Sequence, residues 1–465
     1  TASGLVDVAT GSKIILQASG NIVEGRLQDS PSTVAFRLTV EADGHATLDQ
    51  MRAIKHPDAT NPDDSLSLSS TLIRLTATVT DGDGDSAAAT VAVGNALVFK
   101  DDGPSIDATN VDADTILLVT QDGDTRGAAF DVATANLSSA FAATVHFGAD
   151  GPGGSGQATW SYALALGSAA ATTALTSNGV PVTLALVSGE IVGSAGGTPI
   201  FSIAVNAATG LVTLTQFAEI DHPLPGSPGD YASQFVALAA NLVELRGTAT
   251  IVDRDGDSIS DTVAVDLGGN IRFADDGPSI SAGGAAPNLV VDESDFGTNA
   301  TADLSSLFTA TTDYGADGPG SVAYELGITA GPSGLIDSLT GEAVVLSIEG
   351  GVIYGRTATH EVFRISVAPG GIVTFDQSRA VIHSPDTGPD QTLFLAGSNL
   401  ITLTAIVTDG DGDTARTTTD ITGHFAIRDD APTAVADEDN VARDGQNFAD
   451  GNVLTGIGGV DDNGM

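Results

Sequence analysis

Leu72–Pro104 reads LIRLTATVT-DGDGDS-AAATVAVGNALVFK-DDGP. A β-type run enters an acidic turn carrying Asp81, Asp83 and Asp85. A second β-type run leaves it and ends on Asp101, Asp102 and a proline. The same frame returns at Leu242–Pro278, with Asp253, Asp255 and Asp257 in the turn and Asp275 and Asp276 at the end. It returns again at Leu400–Pro432, with Asp409, Asp411 and Asp413, then Asp429 and Asp430. A pattern recurring after 172 and then 156 residues marks an array of similar modules.

Outward from these frames the copies continue to align. Asn136–Gly153 (NLSSAFAATVHFGADGPG) matches Asp303–Gly320 (DLSSLFTATTDYGADGPG). Pro199–Pro223 matches Glu361–Pro385 and Val34–Pro57, and SGLVDVATG at Ser3 matches SGLIDSLTG at Ser333. We therefore expect residues 1–102 to be the C-terminal part of one repeat, 103–276 and 277–430 to be complete repeats, and 431–465 to be a linker or the start of a further module. On this reading the chain begins mid-repeat, as a fragment of something longer. Each repeat holds many short runs rich in Val, Ile, Leu, Ala and Thr, divided by Gly, Asn and Asp turns. Phe201–Phe217 reads as a hairpin, and LSSAF and LSSLF have the length of one helical turn. The expected fold is all-β: tandem antiparallel β-sandwiches of Ig-like or cadherin-like type, in an elongated array. The proline joints predict short, stiff connections.

Composition narrows the function. The 465 residues hold 60 acids against 17 bases, a net charge of −43. Nucleic acid is excluded as a partner because there is no basic footprint. No run approaches the length of a membrane-spanning helix, so no membrane insertion is expected. Cysteine is absent, so stability in an oxidising compartment must come from something other than disulfides. The acids sit in turns rather than in a solvated tail, which points to bound cations.

Carboxylates on alternate residues with interspersed Gly are hard oxygen ligands on a foldable backbone, suited to Ca²⁺. They are not EF-hand loops, because Ser86, Ser258 or Thr414 stands where that loop needs Gly. The ligand set must be completed from elsewhere. A straight strand from a triplet to the Asp-Asp pair of its own repeat would span the domain, placing the two at opposite poles. Asp101 and Asp102 should therefore meet Asp253, Asp255 and Asp257 of the next repeat. Asp275 and Asp276 should likewise meet Asp409, Asp411 and Asp413. Gly94, Gly268 and Gly423 interrupt that final strand and would defeat the argument if they made a full turn. Calcium ions and neighbouring repeats of the same chain are the expected partners.

Asp150 and Asp317, in Gly-Ala-Asp-Gly-Pro-Gly turns, read first as turn residues and second as calcium ligands. His56, His222 and His383 recur at one repeat position; a structural hydrogen bond ranks ahead of a metal or pH role. Trp160 reads as core. No GxSxG, HExxH or P-loop is present, and no enzyme is expected.

The TDGDGDS…DDGP signature, with the upstream LxxTATVT strand and the FxLxVxxxGxVTLxQ…xHP hairpin, resembles the large repeats of type I-secreted, RTX-like giant adhesins and biofilm proteins of Gram-negative bacteria. The resemblance covers residues 1–434. It implies an extracellular, cell-surface stalk held by Ca²⁺ at the triplets and joints, projecting a distal binding region for adhesion or biofilm formation. The GGxGxDxUx nonapeptide array of such proteins is missing, and no C-terminal secretion signal is recognisable. Two other roles stand beside the stalk. One is a module binding host or matrix glycans or proteins, for which the Tyr231–Phe235 loop is the candidate. The other is a self-assembling surface-layer or matrix protein.

Overall fold

The computed structural model describes residues 1–430 except 112, 168–171, 223–233, 309–311, 386–387, 389 and 396. The expected module at 431–465, and most of the Tyr231–Phe235 loop, lie outside the described residues. Among those described there is no α-helix; strands are joined by turns and single 3₁₀ turns, two of them at Ser138–Ala140 and Ser305–Leu307. No helix is long and apolar enough to cross a membrane. The chain forms two compact units, Thr1–His222 with Ala232–Asp275, and the described residues from Asp276 onward.

In the first unit, a six-stranded antiparallel sheet runs in the order Asp131–Asn136, Leu211–Gln216, Thr198–Val205, Glu190–Ala195, Val180–Val187, Thr172–Ser177. The expected hairpin at Phe201–Phe217 supplies its second and third strands. A three-stranded sheet, Thr159–Leu166, Val243–Val252 and Ser258–Asp266, faces it. Between them lies one continuous core that includes Phe201, Ile203, Leu214, Leu245 and Phe273. Period-2 alternation puts these residues inward, as in Val243–Val252, where every second residue is buried. A smaller core around Phe36 and Phe99 lies under a five-stranded sheet of residues 2–50. The second unit repeats the plan around Phe363, Phe375 and Phe425, with its own six-stranded sheet and the facing strands Pro319–Ile328, Ile401–Asp409 and Thr414–Asp420. Each complete repeat is thus one sandwich with one core.

Two features differ from expectation. Each complete repeat contains a parallel pair, Leu118–Gln121 with Ile271–Ala274 and Leu289–Asp292 with Phe425–Arg428. The entry strand lies beside the exit strand, both running towards the joint. The strand after the triplet is also not straight. After Ala92 a 3₁₀ turn at Gly94–Ala96 carries the chain out of the hairpin sheet into a separate ladder at Val98–Lys100. Gly94 is required there, since a Cβ would lie 2.2 Å from the carbonyl of Ser69. The chain changes sheets but does not return, so the acidic turn and the joint of one repeat stay apart.

One packing device recurs in all three cores. A strand glycine lies directly across from a phenylalanine: Gly25 from Phe36, Gly193 from Phe201, Gly355 from Phe363. A Cβ at these glycines would lie 2.2, 2.4 and 2.3 Å from the ring. Gly355→Val should therefore cost at least about 1–3 kcal/mol through overpacking, read as a lowered unfolding midpoint in urea. An unchanged midpoint would show that the ring can move away. A buried ion pair also recurs: Asp7 with Arg52, at 2.7 and 3.0 Å, and Asp337 with Arg379, both at 2.9 Å. Ser177 and Ala218 occupy the corresponding places in the middle repeat, so both charges go together. Bonds from Arg379 hold the Asp337 carboxyl well below the usual carboxylate range despite burial. Arg379→Ala strands that carboxylate and should lower the unfolding midpoint in urea. The Asp337 contribution is present above the unfolded carboxylate pKa and lost as pH falls through the folded value.

Candidate metal centre at the repeat joint

The three acidic turns share one local design. The first Asp turns its Oδ1 inward onto two backbone amides. Asp81 accepts from Gly84 and Asp85 at 3.2 and 2.9 Å, Asp253 from Gly256 and Asp257 at 3.0 and 2.8 Å, and Asp409 from Gly412 and Asp413 at 3.1 and 2.7 Å. The glycine before the third Asp has φ of +101°, +120° and +116° in the three copies, a region costly for any residue with a Cβ. The loop thereby satisfies one oxygen of its first Asp. In Asp253 and Asp409 the Oδ2 atoms are buried without a hydrogen-bond partner.

A second turn packs onto each of the two later triplets. Gly153 lies so close to the Asp253 carbonyl that a Cβ would sit 2.1 Å from it, and Gly320 stands in the same relation to Asp409. This brings Asp150 into the acidic cluster of the first unit and buries it. In the second unit Asp317 is likewise buried, and its carbonyl lies against Gly410 of the triplet loop.

At the joint between the first two repeats, both inside the first unit, the chain brings carboxylates from both sides together. One oxygen from each of Asp101, Asp255 and Asp257 lies within 4.8 Å of the others. The Asp255 Oδ2 accepts the backbone N–H of His56 at 3.2 Å, tying the preceding repeat to the triplet. Asp101 Oδ2, Asp255 Oδ1 and Asp257 Oδ2 are all buried without a hydrogen-bond partner. Asp102 does something else: its Oδ2 accepts the N–H of Ala149 at 2.8 Å and fixes the Gly-Ala-Asp turn. Asp276 does the same for Ala316, at 3.0 Å.

Crowding of like charges shows in the acidities. Burial, then Asp255, Asp101 and Asp253, push the Asp150 carboxyl up to about 7. Burial and the Asp255 carboxyl push Asp253 up to about 6. Burial is also the main cause raising Asp101 and Asp257. In the second unit burial and Asp411 push Asp409 up to about 7. Buried acceptors that repel one another and lack donors form a site that gains by taking up a cation.

Asp81, Asp83 and Asp85 cluster with one another but remain exposed. Asp275, in the first unit, lies with Asp122 and His222. Asp429, in the second, lies with Glu293 and His383. Asp430 is exposed at the end of the described chain. Of the expected pairing with Asp409, Asp411 and Asp413, the Asp275 part falls between the two units, while Asp276 shares the second unit with that triplet and accepts from Ala316 there; the pairing is carried below as part of the proposal. The sequence reading placed Asp150 second as a ligand and did not single out Asp64, Asp122 or Glu293. The matched Gly-Ala-Asp-Gly-Pro-Gly segments were the available signal for Asp150. Trp160 is peripheral to the core, half-buried between Phe141 and Tyr162 at 5.7 and 6.2 Å.

Tandem β-sandwich repeats, with clustered carboxylates at the joint inside the first unit, are the class that fold and site define. The chain belongs to the family described as Domain of unknown function (DUF5801), whose model matches residues 1–94, 104–268 and 288–422. No curated protein matches it. Among solved structures it is similar to one described as "Ca2+-stabilized adhesin helps an Antarctic bacterium reach out and bind ice". Identity there is 12% and the TM-score 0.16, covering 87% of this chain and 93% of that one. It is also similar to a protocadherin gammaB7 EC3-6 cis-dimer structure, at 11% identity and TM-score 0.19, covering 92% and 75%. A tetra-tandem repeat in the extending region of a large adhesion protein matches at 16% identity and TM-score 0.14, covering 90% and 74%.

Proposed function

We propose that this chain is a calcium-rigidified extender segment of a secreted bacterial surface adhesin, holding a distal binding region away from the cell. One observation carries the reading: Asp101 of one repeat converges with Asp255 and Asp257 of the next, with buried carboxylate oxygens lacking donors. A cation there draws ligands from both repeats and so removes hinge freedom, which is what a stalk needs. The joint itself has little slack: Gly103 donates to the Pro62 carbonyl at 3.1 Å, and Pro104 is buried. Calcium fits because the donors are carboxylate oxygens on glycine-bearing loops. By repetition, Asp275 and Asp276 with Asp409, Asp411 and Asp413 would form the second joint, with Asp317 in the place of Asp150. Asp81, Asp83 and Asp85, and Asp429 and Asp430, would serve the joints at the two ends. Location at the cell surface and a non-enzymatic role follow from the same reading.

Small-angle scattering tests it. The maximum dimension with millimolar Ca²⁺ should exceed that of the Asp253→Asn, Asp255→Asn, Asp257→Asn variant in the same buffer. Equal dimensions would leave the stalk without its mechanism. Reversible assembly on adding Ca²⁺, seen by light scattering, would instead favour a surface lattice.

A further inference from the structure

Each repeat also ends in a buried cluster that contains a histidine. His56 lies with Asp64 and Asp101, His222 with Asp122 and Asp275, and His383 with Glu293 and Asp429, each set within 4.8 Å. The histidine side chains are only 2, 4 and 3% exposed. His56 Nε2 lies 3.3 Å from the Phe99 carbonyl, and His222 Nε2 lies 3.1 Å from that of Phe273. A carbonyl can only accept, so Nε2 carries a proton, and in the neutral imidazole Nδ1 then presents a lone pair. For His56 that Nδ1 is buried without a hydrogen-bond donor and faces Asp101 Oδ1 at 3.3 Å. Both ring nitrogens of His383 are buried without a hydrogen-bond partner; Nε2 lies 3.6 Å from Glu293 Oε1, which also accepts from Gln377 Nε2 and the Val381 N–H, each at 2.9 Å. In the first cluster a ring nitrogen thus faces a carboxylate oxygen with no hydrogen bond between them, an arrangement that a positive centre relieves.

We infer that these clusters are a second kind of metal site, one per repeat, taking a borderline divalent ion such as Zn²⁺ through one imidazole nitrogen and two carboxylates. Spacing decides between a metal and a shared proton. A charge-assisted N–H···O bond is about 2.7–2.9 Å long. Ligands on a tetrahedral Zn²⁺ at about 2.0–2.1 Å stand about 3.3–3.4 Å apart. The observed separations are 3.3 Å from Nδ1 to Asp101 and 3.7 Å from Nε2 to Asp64 in the first cluster, 3.4 and 3.6 Å in the second, and 3.6 Å in the third. Imidazole selects zinc over calcium, which prefers oxygen alone. In His56 and His222 the bond from Nε2 to a backbone carbonyl is the outer-shell contact that orients a ligating histidine. Asp101 can serve both centres of the first joint: Oδ1 faces His56, while Oδ2 is a separate buried acceptor. The inference does not depend on whether the triplets bind calcium.

The test uses the full chain, freed of metal and then saturated with Ca²⁺, titrated with Zn²⁺ by calorimetry and with Co²⁺ by visible absorption. Three Zn²⁺ per chain are expected, with a tetrahedral Co²⁺ band. His56→Gln, His222→Gln and His383→Gln should each remove one equivalent while leaving bound Ca²⁺ unchanged. Zinc-edge anomalous scattering from the unaltered chain should place density between His56 Nδ1 and Asp101, a readout independent of whether the variants fold. No Zn²⁺ uptake in the Ca²⁺-saturated chain, uptake insensitive to the histidines, or a loss of Ca²⁺ on their substitution would each overturn the inference.

Discussion

Stripped of metal by a chelator, the protein should become less stable as pH rises from about 4 to about 7. Asp253, Asp150 and Asp409 have folded-state pKa values raised to about 6, about 7 and about 7. A raised carboxyl stabilises the fold fully below its unfolded pKa and loses that contribution as pH climbs through the folded value. Asp150 alone, 5% exposed and ordinarily at 3.8, corresponds to on the order of 4 kcal/mol across that window, shared in practice among the coupled carboxyls. Saturating Ca²⁺ should reverse the slope, because ionised carboxylates are then ligands rather than mutual repellers. Thermal melts at several pH values, with and without Ca²⁺, read this directly. Parallel curves in chelator and in Ca²⁺ would contradict it.

Neutralising the triplet should have opposite effects in the two states. With Asp253, Asp255 and Asp257 all changed to Asn, the metal-free protein keeps its side-chain shapes and loses repulsion. It should be at least as stable as the unaltered metal-free protein. In Ca²⁺ it should forgo the stabilisation of that joint, about 2.7 kcal/mol for one site at a hundredfold excess over Kd. Chemical denaturation in both buffers measures the difference. A variant equally destabilised with and without Ca²⁺ would show that these carboxylates hold the loop itself.

Much of this architecture was legible in the residues. Apolar alternation in segments such as Val243–Val252 and Phe201–Phe217 fixes strands and facing, and the triplet spacing fixes the repeat. The position of Asp101 beside the next repeat's triplet followed from placing the two ends of one domain apart. The parallel entry strands were not legible, because a four-residue run such as Leu118–Gln121 carries no sign of its partner. The separate duties of adjacent Asp101 and Asp102 were hidden as well. In an extended joint, successive side chains point to opposite sides, so one reaches the cluster and the other caps the Ala149 turn. His56 and Asp64 lie far apart from Asp101 in sequence, and only the fold unites them.

The central claim is that one cation is held by two repeats. Calcium anomalous scattering from crystals grown in millimolar Ca²⁺ tests it most directly. The account predicts a peak bounded by Asp255, Asp257 and Asp101, with ligands from both sides of the joint. No peak, or a calcium held within Asp253–Asp257 with Asp101 outside its coordination sphere, would contradict it.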